Sequence, residues 1–166
     1  YAAWQSRFPT NELRPQVDYA LALANYRAGN ETNALVLFTN FVVQFPANEL
    51  APQAQWWVAD YFFSAGDFVS AERNYKNVFQ NWPASDLANP ARMMAGRAAV
   101  ARSDYAGAIR DYFSKLEVDT NCEVKLRVQA TFAHGDALMR MDSADTNNPL
   151  ANFQTATNVF SQICQL

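Results

Sequence analysis

The sequence predicts an all-α protein, an α-α solenoid of antiparallel helix hairpins. Three observations lead to this reading. Helix breakers are few, with 5 glycines and 7 prolines in 166 residues, while 50% of the residues are apolar or aromatic; that balance favours helices around a buried core over disorder. Aromatic-proline pairs recur at Phe8-Pro9, Phe45-Pro46 and Trp82-Pro83, spaced by 37 residues and again by 37. The residues between the pairs repeat at the same offset, as stacked structural units do.

Each repeated position has a physical job. Proline lacks an N–H and pushes its predecessor out of the helical region, so the aromatic-proline pair ends a helix. Asn11-Glu12-Leu13, Asn48-Glu49-Leu50 and Ser85-Asp86-Leu87 follow the pairs, and their polar side chains suit a helix start, where oxygens cap free amides and acids favour the dipole. Pro15 and Pro52 suit the first helical turn, where the missing N–H costs nothing. Gly29 and Gly66, with Ser103 in the third copy, suit a left-handed stop. Ala34, Ala71 and Ala108 are small where two helices cross, and Phe38, Tyr75 and Tyr112 lie on the same face one turn later.

Each unit is therefore a first helix, a tight turn, a second helix and a short loop. First helices are expected near 14–28, 51–65, 88–101 and 122–141, and second helices near 30–44, 67–80, 104–116 and 150–165. The units span about 10–46, 47–83, 84–120 and 121–166 of one repeat domain, 1–166. The fourth is irregular: Phe153, Ala156 and Phe160 match Phe68, Ala71 and Tyr75 but come 11 residues late. A longer first helix and a polar loop from Asp142 to Pro149 would absorb the difference. Tyr1 and Trp4 align with Phe38 and Phe41, so residues 1–7 read as the tail of a second helix. The chain is expected to be a piece of a longer array, whose neighbours would bury the end faces.

The order Leu21-Ala22, Gly29-Asn30, Ala34, Phe38, Pro46 resembles the tetratricopeptide-repeat consensus with three residues added between units. Val58-Ala59, Gly66-Asp67-Phe68, Ala71, Tyr75, Pro83 repeats it. The third copy departs at Ser103 and lacks the closing proline at Thr120, and the fourth departs most. The resemblance implies a tetratricopeptide-like right-handed superhelix that binds protein. The 37-residue spacing and the run from Phe45 to Ala54 are similar to bacterial envelope members of the family, such as the lipoprotein of the outer-membrane β-barrel assembly machine and the periplasmic Tol–Pal-associated coordinator. That narrower resemblance implies a scaffold in the periplasm or at the outer membrane, with the cytoplasm as the alternative.

In such arrays the first helices line the concave side. By resemblance the groove positions are Gln16, Tyr19, Leu23, Tyr26 and Arg27 in unit one, then Gln53, Trp56, Asp60 and Phe63 in unit two. Unit three offers Met93, Arg97 and Val100, and unit four Arg127, Ala130 and His134. Large aromatics and arginine dominate interface energetics, so this set suits a peptide or a partner domain. The competing reading is that Tyr19, Trp56, Phe63 and Met93 pack between helices and that the charges form a solvated face. Neighbours on a helix point about 100° apart, so Trp56 and Trp57 cannot both enter one core.

Other chemistries are disfavoured. A net charge of -3, from 13 basic and 16 acidic residues, lacks the clustered cations that a nucleic-acid surface needs. No apolar run is long enough to span a membrane. His134 is the only histidine, so no zinc pair of histidines is available; acid–base carboxylate pairs are left open by the residues and disfavoured by the helical-repeat pattern. There is no nucleophile elbow and no glycine-rich phosphate loop. No catalytic residue, metal or cofactor is expected, and the chain is read as a non-enzyme. Asp142, Asp145 and Asn147 match a calcium loop only loosely, without its central glycine or terminal glutamate. Cys122 and Cys164 fall at adjoining ends of one hairpin, which admits a disulfide; two buried thiols is the preferred reading. The functional expectation is a protein-binding scaffold. The alternatives are a structural spacer, or the recognition arm of a larger protein whose catalytic part lies elsewhere.

Overall fold

The computed structural model describes residues 12–142, 148 and 150–164. These residues form eight helices and no strand: α1 (Arg14–Arg27), α2 (Glu31–Gln44), α3 (Ala51–Ser64), α4 (Phe68–Asn81), α5 (Ala88–Ala101), α6, α7 (Val124–Arg140) and α8 (Ala151–Ile163). Helix α6 is composite, with α-helical Tyr105–Gly107 and Ser114–Glu117 on either side of a π-helical Ala108–Phe113. The fold is all-α, and each helix packs on its neighbours in sequence. The tail expected at residues 1–7 lies outside the described residues, as does most of the loop expected between Asp142 and Pro149.

The helix boundaries follow from local chemistry, with one change of detail. Pro15 and Pro52 do lie in the first turns of α1 and α3. The polar residues before the first helices do a different job from the one expected. Asn48 Oδ1 accepts from the Leu50 N–H at 2.9 Å and Ser85 Oγ from the Leu87 N–H at 3.2 Å. They therefore close a turn ahead of the helix, while the N-cap positions themselves, Leu50 and Leu87, offer no side-chain acceptor. Side-chain caps occur instead at second helices: Asp67 accepts from Ser70 N–H at 3.0 Å and Asp104 from Gly107 N–H at 2.9 Å. The Ser70 bonds hold the exposed Asp67 carboxyl below its ordinary range.

The turn inside each of the first three hairpins requires a left-handed residue. Gly29 and Gly66 both have φ 78°, and Ser103 takes the same role at φ 67°. A side chain in that region costs about 1 kcal/mol, whereas glycine adopts it freely. Ser103→Gly is therefore expected to raise the unfolding free energy by about 0.5–1 kcal/mol, read as an increase in denaturant midpoint at constant slope.

Contacts along each pair set the direction of its helices. In α3 and α4, Trp56 meets Tyr75 with ring centroids 5.3 Å apart, and Phe63 meets Phe68 at 5.4 Å. An early residue facing a later one, and a late residue facing an earlier one, means antiparallel helices. In α7 and α8, Phe132 packs on Phe160 while Asn152 donates to the Met141 carbonyl at 2.8 Å. Ala34, Ala71 and Ala108 are fully buried, as are Phe38 and Tyr75, with Tyr112 nearly so. Trp56 and Trp57 serve different cores. Trp57 packs with Phe38 in the cluster of α1 to α3, and Trp56 packs with Tyr75 in the cluster of α3 to α7. Units are also tied at their loops, where Trp82 Nε1 donates to the Pro46 carbonyl at 2.8 Å.

The π-turn in α6 breaks the repeat. In the second unit Tyr75 donates its hydroxyl to Asp60. The position 37 residues after Asp60 is Arg97, so Tyr112 has no such acceptor on α5. The wider π-turn accommodates one extra residue. Tyr112 instead points toward α4 and donates to Glu72 Oε1 at 2.6 Å, and Phe113 takes the inward position. Its ring lies over Gly96, where an added Cβ would come within 2.4 Å of a ring carbon.

Candidate binding groove

The first helices α1, α3, α5 and α7 carry all of the expected groove residues, and the structure sorts these by use. Tyr19 packs edge-on against Phe38 and Phe41, with centroids 5.4 and 5.6 Å away. Leu23 is half-buried against the same cluster, and Met93 is 3% exposed. Phe63 packs on Phe68 and Tyr75. Trp56 and Asp60 form a closed unit, in which Trp56 Nε1 donates to Asp60 Oδ2 at 2.7 Å and Tyr75 donates to Oδ1. Tyr26, Arg27, Gln53 and Arg97 face solvent. In unit four, Ala130 is buried, His134 Nδ1 lies 2.9 Å from Glu117 Oε1, and Arg127 donates to the Glu117 carbonyl at 3.3 Å. Arg127 and His134 thus turn toward α6, and Ala130 enters the core cluster shared by α3 to α7.

Two clefts lie along the first helices. The smaller, about 260 Å³, is lined by Tyr26, Glu31, Trp57, Asp60, Tyr61 and Ser64. Tyr26 stands edge-on to Trp57 at 5.2 Å, and Trp57 stacks on Tyr61 at 6.0 Å. The larger, about 570 Å³, lies between α5 and α7, with Met93, Arg97, Val100, Val128, Phe132 and Ala133 among its walls and with Phe113 and Ile163 also lining it. Phe132 is 61% exposed. Gln53 belongs to neither; it borders a loop-level depression of about 670 Å³ with Trp82, Pro83 and Leu87. Sequence reasoning missed Trp57, Val128 and Phe132. Trp57 could have been found from its neighbour's assignment, since the two indoles must diverge. The α7 stripe carried no usable signal, because the fourth unit has lost its repeat landmarks.

The polar groups near these clefts are held in defined states. Burial first, and then donation to Asp60, hold the Tyr75 phenol well above its usual pKa, with the Arg97 charge opposing the rise. Burial and donation to Glu72 do the same for Tyr112, and burial alone raises Tyr19. Phenols whose pKa is raised by folding contribute stability that is fully present below the unfolded value of about 10 and is lost as pH climbs above it. Near-ultraviolet titration is therefore expected to show Tyr19, Tyr75 and Tyr112 ionising above the ordinary tyrosine value. Tyr75→Phe should remove part of the alkaline loss of stability. Ionisation of these three phenols at the ordinary tyrosine value in the folded protein would contradict this.

Other chemistry is sparse. Cys122 is buried and Cys164 exposed, and they are not bridged, so only one of the two expected buried thiols is inside. Burial raises the Cys122 thiol above its ordinary pKa. Among the described residues no cluster of His, Cys, Asp and Glu is placed to hold a metal ion. Asp145 and Asn147, read with Asp142 as a loose calcium-loop match, lie outside the described residues. No described helix is long and apolar enough to cross a membrane. Neither protein-family models nor curated protein sequences give a match to this chain.

Proposed function

We propose that the chain is a tetratricopeptide-like scaffold that binds a peptide or partner domain along its first helices and performs no catalysis of its own. The observation that carries this reading is the α5–α7 cleft, where Phe132 stands 61% exposed beside Val100, Val128 and Arg97. A large exposed ring on a concave apolar wall is the kind of anchor that interfaces use. The recurrence of hairpins with left-handed turns at Gly29, Gly66 and Ser103 supports the superhelical repeat. The similarity of the 45–54 run to envelope members of that family supports a place in a bacterial envelope complex, periplasmic or at the outer membrane. A spacer is the second reading, favoured by the use of Tyr19, Phe63 and Met93 in packing.

The test is affinity capture from envelope and cytoplasmic fractions of the source cell. The bait is the full-length protein, set beside a variant with Tyr26, Arg97 and Phe132 changed to alanine. All three side chains are exposed, so the fold should survive, as circular dichroism would verify. A partner lost only in the variant supports groove binding, and its fraction supports the location. A partner kept by both moves binding to another face, and capture of nothing by either favours the spacer.

A further inference from the structure

We infer that the α5–α7 cleft takes a peptide segment that presents apolar side chains together with one Asp or Glu side chain, which pairs with Arg97. This deepens the groove reading and rests on it. The apolar part follows from the walls: most of the lining is apolar, Val100, Val128, Phe132 and Ala133 among it, with Gln129 the one uncharged polar side chain, so most of the occupant's matching surface is apolar. The acidic part follows from charge complementarity. Two charged residues border the cleft, Arg97 and Asp136. Asp136 is already engaged, with Arg140 Nε 3.0 Å from its Oδ2. Arg97 has no such ion pair; its one side-chain hydrogen bond is Nη1 to the Met94 sulfur at 3.7 Å, a weak acceptor, although its charge also reaches the Tyr75 phenol. Asp60, the nearest repeat counterpart, spends both oxygens on Trp56 and Tyr75. The cleft thus presents one exposed positive charge with no salt bridge to a described residue, beside a mostly apolar wall, where a carboxylate gains a charge-assisted, two-pronged hydrogen bond. A single cation is too little for a phosphate backbone, whose binding needs several.

The probe is a random peptide library displayed with its C-termini fused to the carrier, so that any carboxylate selected belongs to a side chain. Selection on the intact protein is expected to enrich peptides with apolar residues around one Asp or Glu. Those peptides should bind Arg97→Gln about tenfold more weakly, the loss expected for one charge-assisted contact. Selection on Arg97→Glu should enrich Lys or Arg in the acid's place, and Phe132→Ser should lose all of these binders. If the enriched peptides carry no acid, or bind Arg97→Gln and Phe132→Ser undiminished while Tyr26→Ala abolishes them, the inference fails and groove binding by the α1–α3 cleft stands. If no peptide is enriched and capture from cells also fails, both readings fall.

Discussion

Phe38→Ala is expected to lower the unfolding free energy by about 3–5 kcal/mol, the range for deleting a fully buried ring whose cavity closes only in part. Phe38 is wholly buried, and its ring lies 5.4 Å from Tyr19 of α1 and 4.6 Å from Trp57 of α3. It therefore joins three helices, and the loss combines burial with ring contacts of about 0.5–1.5 kcal/mol each. Phe38→Leu keeps most of the apolar volume and should lose about 1–2 kcal/mol. Urea unfolding followed by tryptophan emission reads both, because Trp57 is the ring that loses its neighbour. A loss below about 1 kcal/mol for the alanine variant, with unchanged slope, would mean that the surrounding rings collapse into the space.

Gly96→Ala should destabilise by about 1–3 kcal/mol, the cost of overpacking a filled core, although in an open helix the same change would add about 1 kcal/mol. The new Cβ would lie 2.4 Å from a carbon of the Phe113 ring. Phe113 is fully buried in the π-helical segment, so its ring has little freedom to retreat. Trimming that ring should relieve the clash. In Gly96→Ala with Phe113→Leu, the second change should cost less than it does alone, with a coupling of at least about 0.5 kcal/mol. Additive effects would show that the ring moves aside at no cost. Gly135 makes the same close approach to Phe160, also at 2.4 Å, which makes it the natural control in the fourth hairpin.

Much of this architecture was legible in the chain because it rests on local chemistry. Proline in a first turn, a left-handed glycine after α1 and α3, and alanine at each crossing are constraints on a few adjacent residues, and they repeat. The helices fall within a few residues of their expected places for that reason. The uses of the side chains on the first helices were legible only in part. Tyr26, Arg27 and Arg97 are exposed, while Trp56, Asp60 and Tyr75 form one hydrogen-bonded unit. Nothing within a single helix reveals such a closed unit, since its members come from α3 and α4.

By itself, then, the sequence determined an all-α chain of four helix pairs, their order and their turns, since periodicity and backbone preference act over a few residues. Only the tertiary structure decided which side chains meet across helices. It placed Trp56 and Trp57 in separate cores, and it turned the α7 stripe so that Phe132 rather than His134 faces α5. It also placed a π-turn in α6, where Tyr112 finds its acceptor on Glu72 of α4. These outcomes depend on volumes and partners brought together from distant positions, which spacing along one helix does not encode.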